Sequence, residues 1–349
     1  MVRKFQRREF LLTGSMALGS SLLLKACTNN TTESATETST SENFKIAMVL
    51  PGRITDRAWN QSGYEGIELA KQSLSVATAY SEQVAPADQT EALSDFARRG
   101  YQLVYAHGGQ FDAAIEQVAP QFPETFFVGV NGAVSGANMA SLRIDHLQGS
   151  YLCGIIGALM TKSNQMAYLT AQSFQATDEE LRGFQLGAQS VNPEIQITAS
   201  YTGDWNDAAK AKEATLALIS SGVDVVYQWL DNASPAVLQT CAQKNVFAFG
   251  NTTDQLAVAP KAVLTSAVKR LDRAISSIAE LAVQGNLTGK IYTIGLESTD
   301  ILYLGEFGAM VPEEVKTKAL ATQSQILAGQ ILFAPCEVEG KTTRCVQEV

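Results

Sequence analysis

The sequence predicts an α/β protein of two lobes, each built on a doubly wound parallel sheet, with a ligand cleft between them. Three observations predict it. Short apolar runs alternate with amphipathic segments of helical length, which is the rhythm of βαβ units. Those runs are apolar at nearly every position, as in strands covered on both faces. The rhythm then starts again after residue 146, so the chain holds two such sheets.

Residues 44–50, FKIAMVL, form the first strand, which ends at Pro51-Gly52. A helix over 62–73 follows, then a strand over 76–80, a helix over 87–99 and a strand over 103–106. A helix over 113–121 and a strand over 126–130 complete the first series. The second opens with an apolar helix over 147–160, with small residues at Gly154, Gly157 and Ala158. Strands are expected over 165–169, 196–201, 223–228, 247–250 and 263–267. Helices over 178–191, 207–220 and 235–244 separate the first four, and a helix over 271–284 follows the last. The expected division is residues 44–145 plus 263–286 for the first lobe and residues 146–262 plus 287–349 for the second. Ligands bind beyond the carboxyl ends of strands in such sheets. Two facing sheets put those ends around one cleft, the layout of a hinge-closing binding protein.

The N-terminus reads as an export signal. Arg3, Lys4, Arg7 and Arg8 make a positive region, and residues 10–24 are apolar or small, close to signal-peptide length and short of the about 20 residues of a membrane span. Arg7-Arg8-Glu9-Phe10-Leu11 resembles a twin-arginine signal. Leu24-Lys25-Ala26-Cys27 resembles a lipobox, with Cys27 as the lipidated residue, although Lys25 departs from the usual small or apolar residue. An uncleaved anchor helix is the other reading, and both place the rest of the chain outside the cytoplasm. Residues 28–43, TNNTTESATETSTSEN, have too few apolar side chains to bury and are expected to be a disordered tether.

Removing residues 1–27 takes five of the 26 basic residues and one of the 35 acidic ones, leaving 21 against 34, a net of −13. That surface repels phosphate backbones, which argues against nucleic-acid binding. Of the five cysteines, Cys336 and Cys345 flank an eight-residue segment with a turn signal at Glu339-Gly340. In an oxidising compartment they can close a small hairpin if the geometry allows. Cys153 and Cys241 lie in apolar helical stretches and read as small core residues. No CxxC occurs and His107 and His146 are the only histidines, so no metal site or cofactor is expected. The chain also lacks a Walker loop, a Gly-x-Ser-x-Gly elbow and an Asp-x-Asp pair at the first strand, so binding, not catalysis, is expected.

The segment 51–66, PGRITDRAWNQSGYEG, resembles the first signature of the basic membrane protein family: an Asp, two residues, an aromatic, Asn, then a small-residue helix. The resemblance continues through Gly108-Gly109-Gln110-Phe111, residues 148–154 (QGSYLCG), residues 201–207 (YTGDWND), Gly222-Val223-Asp224-Val225, residues 250–255 and residues 265–269 (TSAVK). It covers about residues 44–310. The family consists of purine-nucleoside-receptor-like lipoproteins of ABC importers. It implies a type I periplasmic-binding fold, a purine nucleoside or base as ligand, permease subunits as partners and attachment to the membrane by the lipid; a monomer is expected because one cleft per chain suffices.

The resemblance also implies a site. Family aromatics at the positions of Trp59 and Trp205 sandwich a purine, and stacking a base on an aromatic is worth about 1–3 kcal/mol. Ordinary core or surface tryptophans are the alternative. Asn60 suits a base edge or ribose hydroxyl, or equally a helix cap. Lys269 matches a family lysine that reaches the cleft, a surface lysine being the alternative. Gly109, Phe111 and Asn251 join the expected ligand set. Two departures bear on the ligand. Gln228-Trp229-Leu230-Asp231-Asn232 stands where the family often has Ala-Gly-Gly, and Thr252 stands where a ribose-binding Asp is common. Losing that carboxylate while gaining Trp229 and Asp231 points to a smaller ligand such as a free base, without deciding between base and nucleoside. Another flat heterocycle such as a flavin, and a sensory role in place of transport, stay open.

Overall fold

The computed structural model describes residues 44–56, 59–338 and 341–348. The expected export signal, Cys27 lipidation and 28–43 tether lie outside the described residues. The chain runs β1 (Lys45–Val49), α1 (Trp59–Leu74), β2 (Ala77–Ser81), α2 (Gln89–Arg98), β3 (Leu103–His107), α3 (Asp112–Val118), β4 (Phe126–Val130) and β5 (Met139–Ile144). It continues through α4 (His146–Met160), β6 (Gln165–Thr170), α5 (Gln175–Val191), β7 (Gln196–Tyr201), α6 (Ala208–Ser220), β8 (Val225–Trp229), α7 (Ser234–Lys244), β9 (Phe247–Thr252) and β10 (Val263–Lys269). Then come α8 (Leu271–Val283), β11 (Ile291–Ile294), β12 (Leu302–Leu304), α9 (Glu313–Leu327), β13 (Ile331–Val338) and β14 (Lys341–Glu348).

Two six-stranded sheets result, ordered β11-β5-β4-β3-β1-β2 and β12-β10-β9-β8-β6-β7. The same order recurs in both, and only β12 runs antiparallel to its neighbour. Central strands such as β3 and β10 are buried at every position, which is why they read as unbroken apolar runs. The edge strands β2, β7 and β11 are partly exposed.

The lobe division corrects the expected one. β10 pairs with β9 in the second sheet, not the first, and β11 pairs with β5 in the first sheet, not the second. Only α8 of the 263–286 segment joins the first lobe, where it packs on α1 and Ile275 fits against Gly66. A buried parallel strand has the same apolar signature in either sheet, so pattern alone does not show where the chain crosses. It crosses at Asp145, at Arg270 and over residues 295–301. β5, β11, β12 and α9 were not anticipated from the sequence.

The second lobe is held by a close pairing of α4 and α5. A Cβ at Gly183 would collide with the Leu147 carbonyl, and one at Gly187 with the Tyr151 carbonyl. Glycine at both positions lets the helix backbones approach. Cys336 and Cys345 are joined as a disulfide with Cα atoms 5.8 Å apart, bridging β13 and β14. The thiols of Cys153 and Cys241 are buried, and burial pushes that of Cys241 up to about 12.

Candidate functional site in the interlobe cleft

The carboxyl ends of both sheets open onto a cleft of about 750 Å³, within the range of small-molecule sites, roughly 300–1,000 Å³. Asp56, Trp59 and Gly109 line it from the first lobe, and Phe174, Trp205 and Trp229 from the second. Ile144 and His146, either side of the Asp145 crossing, form its back wall. A smaller cavity of about 230 Å³ adjoins it, shares Trp59, Trp229 and Asp231 with it, and is lined further by Asn251, Thr252 and Lys269. Among the described residues, hydrogen bonds join the lobes across the rim from Asn232 Nδ2 to the Asp56 carbonyl at 3.5 Å and from an Arg143 nitrogen to Gln175 Oε1 at 3.4 Å.

Trp59 opens α1 just past β1. Its ring stacks on His107, with centroids 4.2 Å apart and planes 25° apart. His107 Nε2 lies 2.8 Å from the Trp59 carbonyl, and since a carbonyl only accepts, this nitrogen carries the proton. Burial lowers the imidazole to about 4. A neutral, fully buried His107 therefore clamps the Trp59 backbone and covers one face of its ring, while Trp59 also lines the cleft.

Asn60 lines the cleft, but its polar atoms are engaged. Oδ1 accepts from Gly52 N–H at 3.0 Å and Nδ2 donates to Asp56 Oδ2 at 2.7 Å. The cap of α1 is Asp56, which accepts the backbone N–H groups of Asn60 and Gln61. Asn60 thus braces the loop between β1 and α1. Phe111 does not reach the cleft. It is completely buried with Leu93, Phe96 and Ile115 in the first-lobe core, because Phe111, Ile115 and Val118 fall on one face of the helical segment.

The second lobe presents an aromatic cluster. Trp205 and Trp229 meet edge to face at 6.4 Å, and Phe174 approaches them at 6.0 and 6.4 Å. Phe174 precedes α5, where its N–H donates to Thr177 Oγ1 at 3.0 Å. Beneath Trp229 lies the ammonium of Lys269, 3.7 Å from the ring centroid and 2.6 Å from Glu180 Oε1. Glu180 is wholly buried and also accepts from Tyr168, Tyr227 and Asn251 Nδ2. Burial lowers the Lys269 ammonium from its ordinary value, against the pull of Glu180. Burial also lowers His146 well below its ordinary value, helped by the Lys269 charge.

Lys269 and Asn251 are therefore partnered inside the lobe by Glu180, while both border the smaller cavity. Thr252 is exposed and sits at a φ of 67°, a strained conformation for a β-branched residue. Asp231 stands at the rim opposite Asp56. Burial and then the Asp56 charge raise its carboxyl to about 6. Among the described residues no group of three or more metal-ligating side chains comes together, and no helix is long and apolar enough to cross a membrane.

Phe174, His146 and Arg143 line the cleft and Glu180 pairs with Lys269 beneath it, and none of the four is named as a site residue from the sequence. Phe174 follows β6 as Trp59 follows β1, and that repetition was the available signal. Glu180 lies four residues before Phe184, on the buried face of α5, so a charge on an apolar stripe marked it.

Comparison with known proteins agrees with this architecture. Residues 43–333 match the family described as "ABC transporter substrate-binding protein PnrA-like" (Bmp). A transcriptional activator protein, med, of Bacillus subtilis is 30% identical over 78% of this chain and 86% of its own. A purine-binding protein of Brucella abortus is 27% identical over 83% of each chain. The nucleoside-binding protein BmpA of a Lactococcus lactis ABC transporter is 25% identical over 93% of this chain and 98% of its own. A solved ABC solute-binding protein from Aeropyrum pernix superposes with a TM-score of 0.72, covering 85% of this chain and 94% of its own at 19% identity, which supports the type I periplasmic-binding fold. The chain belongs to the PnrA-like (Bmp) family and is an extracytoplasmic ABC transporter substrate-binding protein, with a small-molecule ligand and permease subunits as partners.

Proposed function

We propose that the interlobe cleft captures a purine nucleoside or a purine base, the base being the form that the sequence departures favour, and that the protein is a lipid-anchored monomer that binds without turnover. The observation that carries the reading is the set of aromatic rings on the two walls: Trp59 from one lobe, and Trp205, Trp229 and Phe174 from the other. Flat rings favour a flat heterocycle, whose stacking is worth about 1–3 kcal/mol per base. Purine- and nucleoside-binding relatives support the class. Trp229 and Thr252, in place of the small residue and carboxylate common in the family, favour the smaller ligand. Trp59, Trp205, Trp229 and Asp231 are the proposed contacts, with Gly109 in the wall, Thr252 at the second cavity, and Asn60, Asn251 and Lys269 holding the surfaces in place. Closure of the lobes on the ligand excludes water and presents the closed surface to the permease, and its extent follows the difference in affinity for closed and open forms.

The test is a thermal-shift and calorimetric screen against adenine, guanine, their nucleosides, riboflavin, sugars and amino acids. Ligand bound only by the native state raises the melting temperature. Tighter binding of adenine or guanine than of their nucleosides is expected. A shift with sugars or amino acids and none with purines overturns the ligand assignment while leaving the family intact.

A further inference from the structure

The match to the family ends at residue 333, so most of the β13–β14 hairpin, both its cysteines and Arg344 lie beyond it. That hairpin reaches the first lobe crossing. Arg344 donates to both oxygens of Asp145, each at 2.9 Å. Asp145 is 3% exposed and occupies the single position between β5 of one lobe and α4 of the other. Its carboxylate also accepts the Gln148 N–H that starts α4, at 3.2 Å, and its own N–H donates to the Ile294 carbonyl at 2.8 Å. One residue thus joins the ends of β5 and β11, the start of α4 and the hairpin.

Arg344 is itself held. It faces Pro335 across the hairpin, beside Cys345, whose disulfide to Cys336 locks the two strands. Its Nε donates to the Phe333 carbonyl at 3.3 Å, its own carbonyl accepts from Arg182 of α5 at 3.3 Å, and Phe333 packs edge to face on Tyr151 of α4 at 5.1 Å. The hairpin is therefore fixed to the second lobe, and a bidentate Arg–carboxylate fork fixes direction as well as distance. The neighbours of Asp145 on either side, Ile144 and His146, are the back wall of the cleft.

We infer that Arg344 is a positioning residue for ligand capture. Held by the disulfide-closed hairpin, it fixes Asp145 at the lobe crossing and thereby sets the angle between the lobes and the placing of Ile144 and His146. The ligand part of this rests on the purine reading above, and the hinge part does not.

The test uses the full chain with Arg344→Gln, Arg344→Lys and the paired Cys336→Ser/Cys345→Ser change. Hydrogen exchange and small-angle scattering of the ligand-free protein read the hinge, and calorimetry with adenine reads binding. Arg344→Gln is expected to speed exchange at the Asp145 and Gln148 amides at least tenfold, leave β3 and β10 amides unchanged, widen the scattering envelope and weaken adenine about fivefold or more. Arg344→Lys, which lacks the fork, is expected to recover only part of this, and the cysteine pair to show it in milder form. Unchanged exchange at 145–148, exchange rising equally in both cores, or adenine affinity untouched while the hinge loosens each overturns the proposal. If the unaltered protein binds no purine, the purine reading falls, and the exchange and scattering arms still decide the hinge.

Discussion

The ammonium of Lys269 lies 2.6 Å from the Glu180 carboxylate, and both side chains are at least nine-tenths buried. Lys269 also sits 3.7 Å from the centre of the Trp229 ring. The pair therefore supports the floor of the cleft, and the favourable cation–ring contact fixes the tryptophan from below. Removing one partner of a buried ion pair typically costs about 3–5 kcal/mol, because the other charge is left uncompensated. Lys269→Met leaves Glu180 with three neutral donors, Tyr168, Tyr227 and Asn251, so a loss of about 3 kcal/mol is expected. Glu180→Gln strands an ammonium and is expected to cost at least as much. Together the two changes should cost less than their sum, since neither charge then remains. Urea melts of the three variants measure this, and additive losses would show that the two groups do not stabilise each other.

Trp205 is a different case, a side chain that lines the cleft and meets Phe174 and Trp229 there. It is partly buried, at the margin of a second-lobe core cluster. Trp205→Ala is expected to weaken purine binding at least tenfold, about 1.4 kcal/mol, while the melting temperature without ligand stays within a few degrees. Equal affinity in a folded Trp205→Ala protein would remove this ring from the site.

How much of this was legible in the sequence depended on whether the signal was local. The predicted strands lie within about two residues of the observed ones because buried parallel strands are apolar at every position. Trp59 and Trp205 read as cleft residues from the family resemblance and from their place past strand ends, which face the ligand in doubly wound sheets, and Trp229 from its departure from the family pattern. Phe111 misled because an aromatic after a strand end can equally turn inward with Ile115 and Val118. Asn60 and Lys269 were found as positions, but their partners, Gly52 and Asp56 for one and Glu180 for the other, were not read from the pattern. The Glu180 contact spans 89 residues, and no periodicity encodes it. The exchange of β10 and β11 between lobes was hidden for the same reason, since neighbours in a sheet are a property of the crossings.

Thr252 carries a stability prediction of its own. Its φ of 67° is a conformation that asparagine and glycine tolerate and a β-branched residue resists. Such strain costs of order 1–3 kcal/mol and is typical of functional sites. Thr252→Asn is expected to raise stability by about 1 kcal/mol, or roughly 2 °C in melting temperature. The hydroxyl contact to Asn251 Oδ1 at 3.2 Å is given up, and its loss offsets only part of the gain. A lower melting temperature for Thr252→Asn would show that the hydroxyl outweighs the strain. Calorimetry on the same protein would show whether the strained hydroxyl faces the ligand.

Asp231 gives the protein a pH dependence near neutrality. Burial, then the charge of Asp56, raises its carboxyl to about 6, so the folded protein holds this proton where the unfolded chain has released it. For stability the sign is a loss as pH rises from the ordinary aspartate value, about 3.9, through about 6, since the folded state then has to ionise a group it disfavours. For binding the sign is opposite. On the proposed reading a purine ring or exocyclic N–H donates to the ionised carboxylate, so the ligand would select the charged form and draw the value down. Affinity should be flat above about pH 7 and fall toward tenfold per pH unit well below 6. Asp231→Asn should abolish that slope and bind more weakly than the ionised wild-type site at pH 7, because a charge-assisted hydrogen bond is replaced by a neutral one. Calorimetry between about pH 5 and 7.5 on both proteins separates the cases. A wild-type affinity that does not change over that range, or a slope that survives in Asp231→Asn, would mean that the ligand is read by other groups.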